Sequence, residues 1–168
     1  QAARLARAAG ALVVLDADQV FPGWSELVGE TDFPIVSRSF AEHISKGSAR
    51  GGLLALAQRA RGLAVVTLGP EGAIACAAGR SEVLETSAFR VAVRDTTGAG
   101  DAFHAGFIWG LLEAEDTSEG QATARAVSAL RTAHAVAALN CTAPGAQGGL
   151  PDRETLEAFL AEREGETG

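Results

Sequence analysis

Three short, continuously apolar runs, "ALVVLDAD", "FPIVS" and "LAVVTL", constrain this chain more than any other feature. Each has the length of a strand and shows no polar alternation, the pattern of strands buried on both faces. Helical segments separate them. "PGWSELVG" and "SFAEHIS" have the spacing of short helices, and "SARGGLLALAQRAR" that of a longer one with Ser48 as candidate N-cap. Strands alternating with helices predict an α/β fold, a mostly parallel sheet flanked by helices on both faces.

The remaining segments extend this order. Residues 1–9 carry Leu5 and alanines at helical spacing, with Gly10 as the stop. After the turn "GPEG", "AIACA" and "EVLE" can pair as a hairpin across "AGRS", and "FRVAV" has the composition of a further strand. Beyond it lies "RDTTGAGDAF". Then Phe103, Phe107, Leu111 and Ala114 fall on one helical face, and Ser118 with Gln121 makes a capping box for a long Ala-rich helix to about Leu139. "APGAQGGLP" is a loop, and Asp152 caps a last helix through Leu156, Phe159 and Leu160. No repeat and no long linker divides residues 1–168, so a single domain is expected.

Charge and composition exclude several classes. A net charge of -7 repels a phosphate backbone, so nucleic acid is not an expected partner. No apolar run reaches the roughly 18 to 20 residues of a membrane span, and "QAARLARAAG" lacks the apolar core of a signal peptide. Cys76 and Cys141 lie far apart without metal-ligand spacing, which points to a reducing, cytoplasmic setting. The start, without Met and within a helical pattern, leads us to expect a truncated chain.

"DTTGAGDAF" carries the chemistry. Gly98 and Gly100 are expected to let the backbone take conformations closed to other residues and to present N–H groups to a ligand. A helix starting near Asp101 adds free N–H groups and its positive dipole end, which together make an anion hole suited to phosphate. A Walker-type loop is excluded, because the single lysine, Lys46, is nowhere near. A carboxylate beside an anion hole suits phosphoryl transfer, with Asp101 as base for a hydroxyl and the amides stabilising the transferred group. On the residues alone, the plainer reading has Asp101 as an N-cap and the glycines as a tight turn.

The whole string resembles the signature of the ribokinase-like (PfkB-type) carbohydrate kinases, and other segments follow that family's order. "VVLDAD" is similar to its D-x-N strand end, "VVTLGPEGA" to its V-T-x-G-x-x-G segment, and "NCTAPGAQGGLP" to its C-terminal loop. The resemblance implies that Asp101 is the catalytic base, with Gly98, Ala99 and Gly100 forming the anion hole. It implies that Thr67, Gly69 and Gly72 line the nucleotide site, with His134 near the base. Glu42 would help hold Mg²⁺ through water, and Asp95 and Thr97 a monovalent cation such as K⁺. Each also has a plain structural reading: strand-ending turn, packed histidine, solvated helix residue, turn cap.

Two departures from the family stand out. The N-x-x-E motif reads "SFAE", with Ser39 in place of the Asn. The Gly-rich sugar segment and lid are absent, so the chain resembles the C-terminal, nucleotide-binding half of a kinase. "GAGDAFHAGF", including His104, and "VSRSFAEH" lean toward the ketohexokinase- and sulfofructose-kinase-like branch. The implied reaction is transfer of a phosphoryl group from ATP-Mg²⁺ to a sugar hydroxyl. A small sugar is the substrate, the full-length protein is a candidate homodimer, and the isolated piece is expected to be inactive. The rivals are a nucleoside kinase of the same family, a non-catalytic nucleotide-binding or regulatory domain, and a Rossmann-type dehydrogenase. The last needs G-x-G-x-x-G after an early strand, which neither "TGAGDAF" nor "TLGPEGA" supplies.

Overall fold

The structure, a computed structural model, describes residues 1–113 and 122–163. The chain forms two compact units, Gln1–Leu68 with Ala73–Glu85, and Gly69–Gly72 with Thr86–Gly168. Among the described residues no helix is long and apolar enough to cross a membrane.

The first unit is built on the sheet. Strands β1 (Val14–Ala17), β2 (Phe33–Ser37), β3 (Leu63–Thr67), β4 (Ala73–Ala77) and β5 (Leu84–Thr86) lie side by side in chain order. β1 and β2 pair parallel, as do β2 and β3, and β3 pairs antiparallel with β4. The sheet is therefore mixed and mostly parallel, as the apolar runs predict. Helix α1 (Ala2–Ala8) precedes β1, α2 (Trp24–Val28) joins β1 to β2, and α3 (Arg38–Ser45) and α4 (Ala49–Ala57) join β2 to β3. Val36, Ala64, Val66, Ile74 and Cys76 join Phe40 and Ala41 of α3 and Leu53, Leu56 and Ala57 of α4 in one core. The alternate residues Phe33, Ile35, Val65 and Ala75 are buried as well, so β2 to β4 are buried on both faces.

Caps close the helices where the sequence marks them. Ser37 Oγ accepts from Phe40 N–H at 3.2 Å and Ser48 Oγ from Gly51 N–H at 3.0 Å, each satisfying one of the free donors of a helix start. β1 departs from expectation. Its Asp16 is exposed and Val14 and Leu15 are half-buried, because it is an edge strand with β2 as its one neighbour.

The second unit is helical: α5 (Ala99–Glu113), α6 (Ala122–Asn140) and α7 (Arg153–Glu162), the last capped by Asp152, which accepts from Thr155 N–H at 2.9 Å. Phe103, Phe107 and Leu111 are buried along α5, as the helical spacing requires. Ala114 and the capping box of Ser118 and Gln121 lie outside the described residues. "FRVAV" is corrected: residues 89–93 form no strand. A strand needs a neighbour's backbone, and here the segment packs by side chains, with Phe89 edge-on to Phe159 at 5.2 Å and Val91 against the same cluster. Its residues Arg90 to Ala92 line an open groove of about 730 Å³ with Phe159 and Arg163 of the α7 end.

α5 and α6 meet backbone to backbone. A Cβ added at Gly106 would stand 2.9 Å from Ala133 Cα, and one at Gly110 2.9 Å from Ala129 Cα. Small residues four apart on both helices make this approach possible. We expect Gly106→Val to force the helices apart and destabilise the protein by about 1–3 kcal/mol. Ala105→Val, on the exposed side of α5, should cost no more than about 0.7 kcal/mol from helix propensity. Urea unfolding of both variants checks this; equal midpoints would disprove the close-packing argument.

Candidate functional site

The glycine loop sits at the start of α5. Gly98 is the N-cap position: its carbonyl accepts from Ala102 N–H at 2.9 Å, the first bond of the helix. Ala99, Gly100 and Asp101 are then the first three helical residues, so the helix begins two residues earlier than the sequence suggests. Asp101 is consequently not the N-cap. Its carboxylate is exposed and makes no hydrogen bond or ion pair with the described residues.

The loop's amides are not equivalent. Ala99 N–H donates to Thr96 C=O at 3.1 Å, whereas those of Gly98, Gly100 and Asp101 have no acceptor among the described residues. Free amides and the positive end of a fifteen-residue helix are therefore gathered beside an uncommitted carboxylate.

The two glycines also differ, which corrects the expectation that both need unusual backbone. Gly98 has φ +75°, and a Cβ there would lie 2.4 Å from Ala146 O. It is required by the fold. Gly100 has no such φ, and a Cβ would meet nothing within 4 Å. Its lack of a side chain leaves open space over the helix start.

Asp95 fastens this loop to the one following α6. Its Oδ1 accepts from Thr97 N–H at 2.9 Å and Thr97 Oγ1 at 2.7 Å, and its Oδ2 accepts from Gly145 N–H at 2.8 Å. The backbone donors of Thr97 and Gly145, followed by the Thr97 hydroxyl, lower its pKa to about 2. Asn140, buried at the C-terminal end of α6, donates through Nδ2 to Thr97 C=O at 3.3 Å and Ala146 C=O at 3.1 Å. Asn140 and Gly145 both lie in "NCTAPGAQGGLP", where the resemblance implies a loop and no role for either residue. The available signal was a lone amide at the end of an otherwise apolar run, "AVAALNC".

His134 is buried on α6, with Nε2 2.9 Å from Thr86 Oγ1 and its ring 5.1 Å from Phe103. Desolvation lowers its pKa to about 4, so it is a neutral, packed ring at pH 7. His104 is engaged with its own helix, Nδ1 to Gly100 O at 2.8 Å. Gly72, at φ +103°, lets the chain pass Thr86 O, from which a Cβ would be 1.9 Å away, and Gly69 has φ +64°.

The structure thus gathers Asp95, Thr97, Gly98, Ala99, Gly100, Asp101 and His134 in the second unit, together with Gly69 and Gly72. Thr67, Ser39 and Glu42 belong to the first unit. There Thr67 Oγ1 donates to Val36 C=O at 3.4 Å, and Ser39 Oγ donates to Asp18 C=O at 3.3 Å and pairs with Ser37 Oγ at 2.9 Å. Glu42 is half-buried on α3. Among the described residues no three His, Cys, Asp or Glu side chains converge on a metal-sized site.

The pattern of the pfkB family carbohydrate kinases matches residues 1–153, and the chain belongs to that family. Ribokinase from Bacillus subtilis is 41% identical over 96 residues, covering 57% of this chain and 29% of that protein. Ribokinase from Haemophilus influenzae is 35% identical over 96 residues, 57% of this chain and 28% of that protein. A fructokinase from Vibrio cholerae, bound to fructose, ADP and potassium, superposes with a TM-score of 0.79 at 28% identity, over 95% of this chain and 53% of its own. Aminoimidazole riboside kinase from Salmonella enterica, complexed with aminoimidazole riboside and an ATP analogue, gives 0.78 at 28% identity, over 95% and 56%. The match thus spans under a third of these curated relatives and about half of these solved chains. The lean toward the ketohexokinase and sulfofructose-kinase branch is not supported by these relatives.

Asp95 and His134 make stability depend on acid. A carboxylate whose folded pKa is about 2 against 3.8 contributes stability that is present above pH 3.8 and lost as pH falls through 2. A histidine held near 4 against 6.5 contributes stability that is present above 6.5 and lost as pH falls through 4. Carbon-detected titration of the Asp95 carboxyl should find a midpoint near 2. Asp95→Asn should melt lower than the parent at neutral pH, with the gap closing below pH 3.8. A gap independent of pH would disprove the assignment.

Proposed function

We propose that this chain is the C-terminal, nucleotide-binding half of an ATP-dependent sugar kinase that moves a phosphoryl group onto a sugar hydroxyl. The observation that carries the reading is Asp101. It stands in the first turn of α5, unused as a cap, next to amides with no acceptor. A base and an anion hole within one helical turn are what transfer of a phosphoryl group to a hydroxyl requires. Family membership and the nucleotide and sugar complexes of its relatives support the same reading.

In this reading Asp101 takes the hydroxyl proton, and Gly98, Gly100 and Asp101 amides stabilise charge on the transferred group. Gly69 and Gly72 line the nucleotide site, with His134 as a neutral, packed wall near the base. Mg²⁺ supplies charge neutralisation of the phosphates, and Glu42 would hold it through water. Ser39 offers a single hydroxyl in place of an amide at that position. The protein works in the cytoplasm, and its full-length form acts on a small sugar.

The two residues of the loop can be separated experimentally. Asp101→Asn in the full-length protein keeps nearly the same shape and cannot accept the proton. It should bind ADP like the parent and lower kcat at least about a hundredfold, with little change in KM. Near-parental turnover would end the mechanism proposed here.

Gly100→Val tests the amides. A Cβ at residue 100 meets nothing within 4 Å beyond its own helical turn, so the loss expected is blocked ligand approach. Calorimetry should show ADP-Mg binding weakened by about tenfold or more, corresponding to roughly 1.4 kcal/mol, with a melting temperature close to the parent's. Unchanged affinity would leave the loop as a turn and nothing more.

A further inference from the structure

His104 stands one helical turn after Gly100, and its ring is committed to that turn. Nδ1 lies 2.8 Å from Gly100 O. A carbonyl oxygen only accepts, so this nitrogen carries the proton, and the neutral ring has its lone pair on Nε2. The ring also lies edge-on to the buried Phe103, with centroids 6.3 Å apart. Another partner was within helical range. Asp101 precedes His104 by three residues, a spacing at which side chains of one helix meet. Yet the Asp101 carboxylate makes no bond with the ring, which turns to the backbone instead.

The carbonyl that the ring holds belongs to the anion loop. Gly100 C=O and Asp101 N–H are the two ends of one planar peptide group. That N–H has no acceptor among the described residues. In a regular helix Gly100 C=O also accepts from the backbone N–H of residue 104, so the imidazole is a second donor on one oxygen. A hydrogen bond to an amide oxygen draws electron density toward it and makes the N–H at the other end a stronger donor. Bonds in such a series strengthen one another by about 10–30% each. The amide so strengthened is that of Asp101, the residue that also carries the candidate base. A ring paired with Asp101 would occupy the base, whereas a ring paired with Gly100 serves the amide and leaves the carboxylate open.

We propose that His104 is a positioning residue: its Nδ1–H, bound to Gly100 C=O, fixes and polarises the Asp101 N–H that meets the transferred phosphoryl group. The hydrogen bond rests on geometry, and its bearing on phosphoryl transfer rests on the kinase reading above.

The test uses the full-length protein, labelled with ¹⁵N at histidine and aspartate, as the parent, His104→Leu and His104→Asn. Leu sets a methyl where Nδ1 stands and removes the donor, while Asn sets an amide nitrogen there and keeps it. At a pH where the ring is neutral, the parent's His104 should show Nδ1 protonated and Nε2 not. The Asp101 amide proton should move to higher field in His104→Leu and return toward the parental position in His104→Asn. Calorimetry with ADP-Mg and fluoroaluminate, a mimic of the transferred group, gives the second readout. Losing a direct donor costs roughly 10²–10³, so one acting through another amide should cost less, about three- to tenfold in affinity for the mimic in His104→Leu. ADP-Mg alone should be less affected, and His104→Asn should recover most of the loss.

A parental ring protonated at Nε2 instead of Nδ1 would overturn the proposal, as would an Asp101 amide proton unmoved in His104→Leu. Equal weakening in His104→Leu and His104→Asn would overturn it too, since the donor would then not be the cause. Should His104→Leu not fold, the parent's ring tautomer and His104→Asn decide. Failure of the parent to bind ADP-Mg, with or without fluoroaluminate, would instead count against the kinase reading, and the ring and amide resonances would still decide the contact.

Discussion

The approach of α5 to α6 is the constraint on which the second unit depends. Gly106 and Gly110 face Ala133 and Ala129 at distances that leave no room for a side chain on the glycines. Two helices held by their backbones cannot slide or rotate as they could on long, flexible side chains. The first turn of α5 and the last turn of α6 are therefore fixed with respect to each other. Asn140 at one end and Thr97 at the other come within hydrogen-bond reach because of packing two to three turns away. Phe107 and Leu130, both fully buried, contribute about 1.5–3 kcal/mol each to that packing.

Within the loop, fold and ligand make opposite demands, and neighbouring residues divide them. Gly98 serves the fold, turning with positive φ past Ala146. Gly100 lies in ordinary helical backbone and leaves the approach to the amides clear. Asp95, with three donors on it, is as firmly committed as Asp101 is free. Two aspartates of one short segment thus serve different ends. One is a tie inside the protein, and the other is available to chemistry.

Much of this was legible in the sequence. β2, β3 and β4 are continuous apolar runs buried on both faces, and Ser48 and Asp152 cap where their neighbours predict. Local rules suffice when the cause is local. "FRVAV" shows the limit: composition says strand, but pairing depends on a partner elsewhere, and these residues pack by side chains instead. β1 fails for the same reason, since its apolar run does not record that it lies at the sheet's edge. Asn140 was illegible because its partners, Thr97 and Ala146, come from two separate loops. The distinct roles of Gly98 and Gly100 were equally hidden, since one letter stands for both a required φ and an open space.

The units are interleaved along the chain. Gly69–Gly72 connects β3 to β4 of the first unit, yet it belongs to the second, where Gly72 lies against Thr86 and Ser87. During synthesis, when domains form from the N-terminus, the residues of β3 and β4 leave the ribosome before the surface that receives the turn between them. A nascent chain can assemble its sheet while carrying a loop whose docking partner has yet to be made. No single cut in the gene would yield either unit whole.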